Sequence, residues 1–173
     1  MFKLLKLNFN IYDFTKKQMR KKNIIILDDI RSLNNIGSIF RTCDSFNIKK
    51  IILCGICGKP PNREINKTAL GATDYVEWEH HQNILNVLQN LRKEHYKIIA
   101  IEQTNKSIEL NKYKPKKNEN LAFIFGNEVK GVSLGALSKS DSHIEIPQRG
   151  QKKSMNVSIC VGIVLWDIFL KQN

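Results

Sequence analysis

The sequence predicts an α/β domain built on a mostly parallel sheet flanked by helices. Short β-branched or wholly apolar runs alternate along the chain with segments whose apolar residues recur at helical spacing. Those runs are apolar at successive positions, as in strands buried on both faces, rather than at every second position. Several are closed by glycine or proline, which punctuate rather than extend a strand.

Asn23–Leu27 (NIIIL) reads as the first strand. Residues 35–46 place Ile36, Ile39, Phe40, Cys43 and Phe46 on one helical face, with Asn34 as the candidate cap. Lys50–Cys54 is a second strand, closed by Gly55 and Gly58. Asn62–Leu70 predicts a short helix and Tyr75–Trp78 a short strand. Residues 82–95 carry Ile84, Leu85, Leu88 and Leu91 as the apolar face of a helix. Lys97–Ile101 is a strand, and the polar, Lys-rich residues 103–119 read as a surface connection. Leu121–Phe125 is a wholly apolar strand ending at Gly126. Val132–Ser138 suits one or two helical turns, His143–Ile146 a short strand stopped by Pro147, and residues 155–170 a long apolar helix.

A chain of 173 residues suits one domain with a real core. Residues 23–173 are expected to form it, and residues 1–22 a basic N-terminal extension. The cluster Lys16, Lys17, Arg20, Lys21 and Lys22 in that extension is either a phosphate-binding arm or a solvated leader. Lys and Arg number 28 against 16 Asp and Glu, a formal charge of +12, so an anionic partner is expected, nucleic acid first and anionic lipid second. No apolar run is long enough for a membrane span, and the N-terminus lacks a secretory pattern. Cys43, Cys54, Cys57 and Cys160 are therefore expected to be reduced, in a cytoplasmic protein. Cys54-Gly-Ile-Cys57 has thioredoxin-like spacing, but Gly58, Lys59, Pro60 and Pro61 follow it, which suits a loop. No second such pair and no His pair completes a metal site, and His80, His81 and His143 read as structural or exposed.

Ligands of parallel sheets bind beyond the carboxyl ends of the strands, and three chemically loaded segments fall there. In NNIGSIFR, residues 34–41, Asn35 and Gly37 open a helix whose amide groups and Arg41 favour an anion; an ordinary capped helix with a surface Arg reads the same. In FGNEVKG, residues 125–131, glycines permit a tight turn and close ligand approach, and Glu128 either faces a cation or holds a neighbouring loop. In IPQRGQKKSMNVS, residues 146–158, Ser154 and Asn156 lead into the last helix. Ser154 suits its N-cap, and Arg149, Lys152 and Lys153 are phosphate contacts or a solvated loop.

Taken in order, Asn-x-Gly-x-x-x-Arg, then FGNE-x-x-G, then IP-x-x-G-x-x-x-S-x-NVS before a C-terminal helix resembles the SpoU (TrmH-like) branch of the SPOUT RNA methyltransferases. The similarity runs from about Ile24 to Phe169 and includes KTALGA at 67–72. The resemblance implies a parallel sheet with a C-terminal trefoil knot and S-adenosylmethionine as cofactor. It implies transfer of the methyl group to an RNA ribose 2′-hydroxyl. The cofactor would sit among Gly126, Ile146, Ser154 and Met155, with Ile101 and Glu102 as a wall. Arg41 would contact the target nucleotide and activate its hydroxyl electrostatically, since an Arg is effectively always protonated. Asn35 would shape the Arg pocket, Glu128 fix the neighbouring loops, and Ser154 and Asn156 complete the site. Gln148 and Met155 stand where relatives often have Met and Leu. Family members are homodimers whose sites borrow residues from the partner. The chain resembles a minimal member without a separate RNA-binding domain, which favours tRNA over rRNA as substrate. The competing readings are a non-catalytic RNA-binding protein on the same fold and a base-directed RNA methyltransferase. Against a third reading, a nicotinamide-dependent enzyme of Rossmann type, the chain lacks the early GxGxxG after its first strand.

Overall fold

The computed structural model describes residues 22–152 and 154–172, so most of the basic N-terminal cluster and Lys153 lie outside the described residues. The elements are β1 (Ile24–Asp28), α1 (Leu33–Ser45), β2 (Lys50–Cys54), α2 (Arg63–Ala69), β3 (Glu77–His81), α3 (Ile84–Lys93), β4 (Lys97–Ile101), β5 (Ile108–Glu109), β6 (Leu121–Gly126), α4 (Leu134–Ser138), β7 (Ser142–Glu145) and α5 (Val157–Gln172). Among the described residues the strands form one seven-stranded sheet in the order β3-β2-β1-β6-β4-β7-β5. Every ladder in it is parallel.

The apolar runs divide between two cores because successive side chains of a strand point to opposite faces. Ile25, Leu27, Ile51, Leu53, Phe123 and Phe125 pack beneath α1, α2 and α5. Ile24, Ile26, Ile52, Ala122 and Ile124 pack beneath α3 and α4. Both faces of β1 and β6 are therefore covered, which is why their sequences show no alternation. The order reverses between β1 and β6: the chain winds outward through β2 and β3, then crosses to β4 on the far side of β6. Such a switch point leaves a crevice at the carboxyl ends of the central strands.

Five local expectations are corrected. The cap of α1 is Ser32, whose Oγ accepts the Asn35 N–H at 3.3 Å; Asn34 lies inside the helix. Gly37 is buried within α1, where a Cβ would strike the carbonyl of Ile65 and the hydroxyl of Thr68 and crowd the amide of Ala69, so it serves close packing of α1 on α2. The inward face of α3 is Val87, Leu88 and Leu91, and Leu85 is exposed. Tyr75 belongs to no strand: a 3-10 turn at Ala72–Asp74 delays β3 to Glu77, and the Tyr75 side chain is solvent-facing. Residues 103–119 are not merely a surface connection. They include β5, which pairs with β7, and a 3-10 turn at Leu110–Lys112 that buries Leu110 and Tyr113.

Candidate active site

Three strands end at one place. The carboxyl ends of β4, β6 and β7 open into a cavity of about 210 Å³, closed from above by the segment that leads into α5. Ile101, Gly126, Ile146, Ser154 and Met155 all line it, so the five positions expected to hold a ligand share one wall. Phe125, Val129, Val157 and Cys160 add apolar surface. Burial pushes the Cys160 thiol up to about 11, against the opposing pull of its backbone hydrogen bond, so it is a neutral wall rather than a nucleophile.

The turn after β6 is folded tightly on itself. A Cβ at Gly126 would meet the backbone of Gly131 and Val132, and Gly131 itself has φ +70° with the Glu102 carboxylate against it. Asn127 closes this turn: its Oδ1 accepts the N–H groups of Val129 (2.9 Å) and Lys130 (3.1 Å), and its Nδ2 donates to the Asp29 carbonyl at 2.7 Å. Sequence reasoning passed over Asn127; an Asn immediately after a glycine at a strand end is the signal for such a side-chain turn. Asp28, buried at the end of β1, accepts the Ser133 N–H at 2.8 Å and anchors the exit of the same turn.

Glu128 ties the second segment to the first. Its carboxylate accepts the N–H groups of Arg31 and Ser32, each at 3.2 Å, and the Asn35 side-chain amide at 3.2 Å. Partial burial pushes its pKa up, but its own backbone amide, those of Arg31 and Ser32, and Asn35 outweigh that effect and hold the carboxyl below the ordinary glutamate value. Asn35 in turn accepts from the Asn156 Nδ2 at 3.1 Å, which brings in the third segment. Glu128, Asn35 and Asn156 thus form a hydrogen-bonded chain across residues up to 121 apart in sequence, at the rim of the cavity.

The cap of α5 is Asn156 rather than Ser154: its Oδ1 accepts the Ser158 N–H at 2.8 Å and its carbonyl accepts the Cys160 N–H at 3.0 Å. Ser154 is left exposed on the cavity wall. Arg149 and Lys152 are exposed, with no acidic partner among the described residues. Arg41 is not part of the cavity lining. It stands exposed on α1, two turns beyond Asn35, beside the seam where Thr42 meets Gly162 of α5. The remaining candidates are structural: Cys57 Sγ accepts the buried Ile30 N–H at 3.1 Å, and His143 bridges Thr104 (3.0 Å) and the Leu137 carbonyl (3.1 Å). Among the described residues no cluster of His, Cys, Asp and Glu is placed to hold a metal, and no helix is long and apolar enough to cross a membrane.

A parallel, doubly covered sheet with a cavity at the carboxyl ends of β4, β6 and β7, walled by backbone loops and carboxylates, defines a small-molecule-binding α/β domain. Comparison with known proteins narrows the class. The model of the SpoU rRNA methylase family matches residues 22–166, and the chain belongs to that family. A relative from Borreliella burgdorferi, an uncharacterized tRNA/rRNA methyltransferase by name, is 32% identical over 154 residues, covering 89% of this chain and 66% of the relative. One from Staphylococcus saprophyticus, whose name places it among TrmH family tRNA/rRNA methyltransferases, is 26% identical and covers 91% of this chain and 62% of its own length. The chain thus spans less than two thirds of these relatives. The crystal structure of the A. aeolicus TrmH/SpoU tRNA modifying enzyme superposes with a TM-score of 0.80 at 24% identity, covering 90% of this chain and 77% of that one. An AdoMet-bound rRNA methyltransferase from Sinorhizobium meliloti superposes at 0.79 and 23% identity, covering 86% and 56%. At these identities the structures speak for the fold.

Proposed function

We propose that the chain is an S-adenosylmethionine-dependent RNA methyltransferase acting on a ribose 2′-hydroxyl, with tRNA the first substrate to test and rRNA the second. The observation that carries the reading is that the second and third motif segments line one cavity, while the first is tied to both of them by the Glu128–Asn35–Asn156 chain. The lining fits the cofactor: Ile101, Phe125, Ile146 and Met155 offer an apolar slot for a nucleoside, and Gly126 and Gly131 add side-chain-free wall beside it. When bound, the cofactor supplies an electrophilic methyl carbon on a sulfonium.

The protein's part is to hold the acceptor oxygen in line with that carbon and favour loss of its proton. Arg41 is the group for the second task, as a fixed positive charge beside the hydroxyl and its flanking phosphate. Because Arg41 lies outside the cavity of its own chain, the active unit is a homodimer in which the α1–α5 face of one copy approaches the cavity of the other. Ile159, Trp166 and Leu170 are exposed along one stripe of α5 and supply an apolar face for that contact. The segment 146–156, running beside the 126–131 turn into α5, is the part of the chain that would pass through the trefoil knot.

Incubation with labelled S-adenosylmethionine and bulk tRNA or rRNA, followed by mapping of alkali-resistant linkages, tests the reading. Label in alkali-resistant ribose sites is the expected result; label confined to alkali-sensitive sites would indicate base methylation. Arg41→Ala is expected to lower transfer by roughly 10²–10³-fold while cofactor affinity stays within about twofold. Transfer at the unmodified rate would remove Arg41 from the chemistry.

A further inference from the structure

The cavity wall has a charge opposite to that of the chain. Glu102, Glu128 and Glu145 line it, and among the described residues the lining contains no Lys, Arg or His, although basic residues outnumber acidic ones 28 to 16 overall. Among the described residues each carboxylate is held by neutral donors only. Glu102 accepts the N–H groups of Gln103 (3.0 Å) and Val132 (2.8 Å), Glu145 accepts the Ser107 hydroxyl at 2.6 Å, and Glu128 accepts amides. None of the three pairs with a Lys or Arg among the described residues. Glu102 is the most firmly built in: it follows the last residue of β4, and the Cβ-less Gly131 makes room for its carboxylate.

We propose, on the basis of the donor-binding role assigned above, that Glu102 makes the cavity select for a cationic ligand, so that the methyl donor outcompetes its own demethylated product. The two ligands share adenosine and an amino-acid tail. They differ in that the donor carries a sulfonium. When the methyl group leaves for the acceptor oxygen, sulfur keeps the bonding electron pair, and the acceptor's proton passes to solvent. The donor's net charge is positive, and the thioether product is neutral. An apolar slot and backbone contacts treat the two alike; a negative wall does not. Attraction between opposite unit charges in a partly solvated site corresponds to a preference of roughly five- to thirtyfold. Glu145 and Glu128 add to the same field from β7 and from the turn after β6.

Calorimetry of the full chain with three ligands tests this: S-adenosylmethionine, S-adenosylhomocysteine, and sinefungin, which carries a protonated amine in place of the sulfonium. The two cations are expected to bind about tenfold more tightly than the homocysteine form. E102Q, which keeps an oxygen to accept the Val132 N–H, is expected to shrink that preference at least threefold by weakening the cations, with the neutral ligand unchanged. Equal binding of the three by the unmodified chain, or equal weakening of all three in E102Q, overturns the proposal and leaves the donor-binding role standing. The ranking in the unmodified chain decides the matter if E102Q does not fold. Binding of none of them overturns both.

Discussion

At the scale of single residues, the site depends on Glu128 remaining a carboxylate. It is the acceptor that gathers two backbone amides of the β1–α1 loop and the Asn35 side chain, so its charge state decides whether the first and second motif segments stay joined. Its folded pKa lies below the ordinary value, so its contribution to the fold is fully present above that value and is lost as pH falls through the depressed one. Because the residue is exposed, the effect is local rather than global. In an acid titration followed by amide NMR, the Arg31 and Ser32 resonances should move together with a midpoint below that of an ordinary glutamate. Glu128→Gln should abolish that transition and leave the rest of the spectrum in place. Movement of these amides in the Gln variant would assign the transition to another carboxyl group. The residue types of this site were readable in the chain, because FGNE and Ser-x-Asn stand out locally. The partnership of Asn35 with Asn156 was not: nothing in sequence marks a hydrogen bond between side chains 121 positions apart.

At the scale of elements, the strands were legible where burial is symmetric. Lys50–Cys54 and Lys97–Ile101 emerge with the expected boundaries because both faces are covered and every position after the leading lysine is apolar. Legibility failed at the sheet edges. β3 (EWEHH) is half-buried and pairs only with β2, so it carries no apolar run to read. β5 is two residues long and owes its conformation to the ladder with β7. The helices failed differently: Gly37 looked like an opening for an anion, yet its role is contact between helices. Gly37→Ala forces α1 away from the backbone of α2 and should cost about 1–3 kcal/mol, toward the upper end because the obstruction is backbone. That corresponds to a fall in melting temperature of roughly 3–10 °C. Gly162→Ala is the control on the opposite helix. Its Cβ would sit 4.0 Å from the Thr42 methyl, an ordinary contact, and alanine gains helix propensity, so stability should hold or rise by up to about 1 kcal/mol. Equal destabilisation by both would show that helix contact is not what Gly37 serves.

At the scale of the whole molecule, the cavity and the guanidinium proposed to act at it belong to different surfaces of one chain. The cavity is lined, among the described residues of one copy, by β4, β6 and the turn after it, β7, the segment before α5 and the first turn of α5. Arg41 is exposed on α1 outside that lining, and the end of α1 shares with α5 a face that is unusually apolar for solvent: Phe46, Trp166 and Phe169 stack edge and face with centroids 6.0–6.5 Å apart, and Trp166 remains 54% exposed. Trp166 should then be an anchor of the proposed dimer, since large exposed aromatics at a seam between helices carry much of an interface's energy. Trp166→Glu places a charge there and should yield particles with the mass of one 20.0 kDa chain by light scattering, where the unmodified chain gives twice that. Cofactor titration should be nearly unchanged in this variant, because no residue of α5 beyond Cys160 reaches the cavity. Methyl transfer should be lost, because Arg41 no longer meets a cavity. A monomer that transfers methyl groups at the full rate would mean that Arg41 reaches its own chain's site by another route, and the division of the active site between two copies would have to be abandoned.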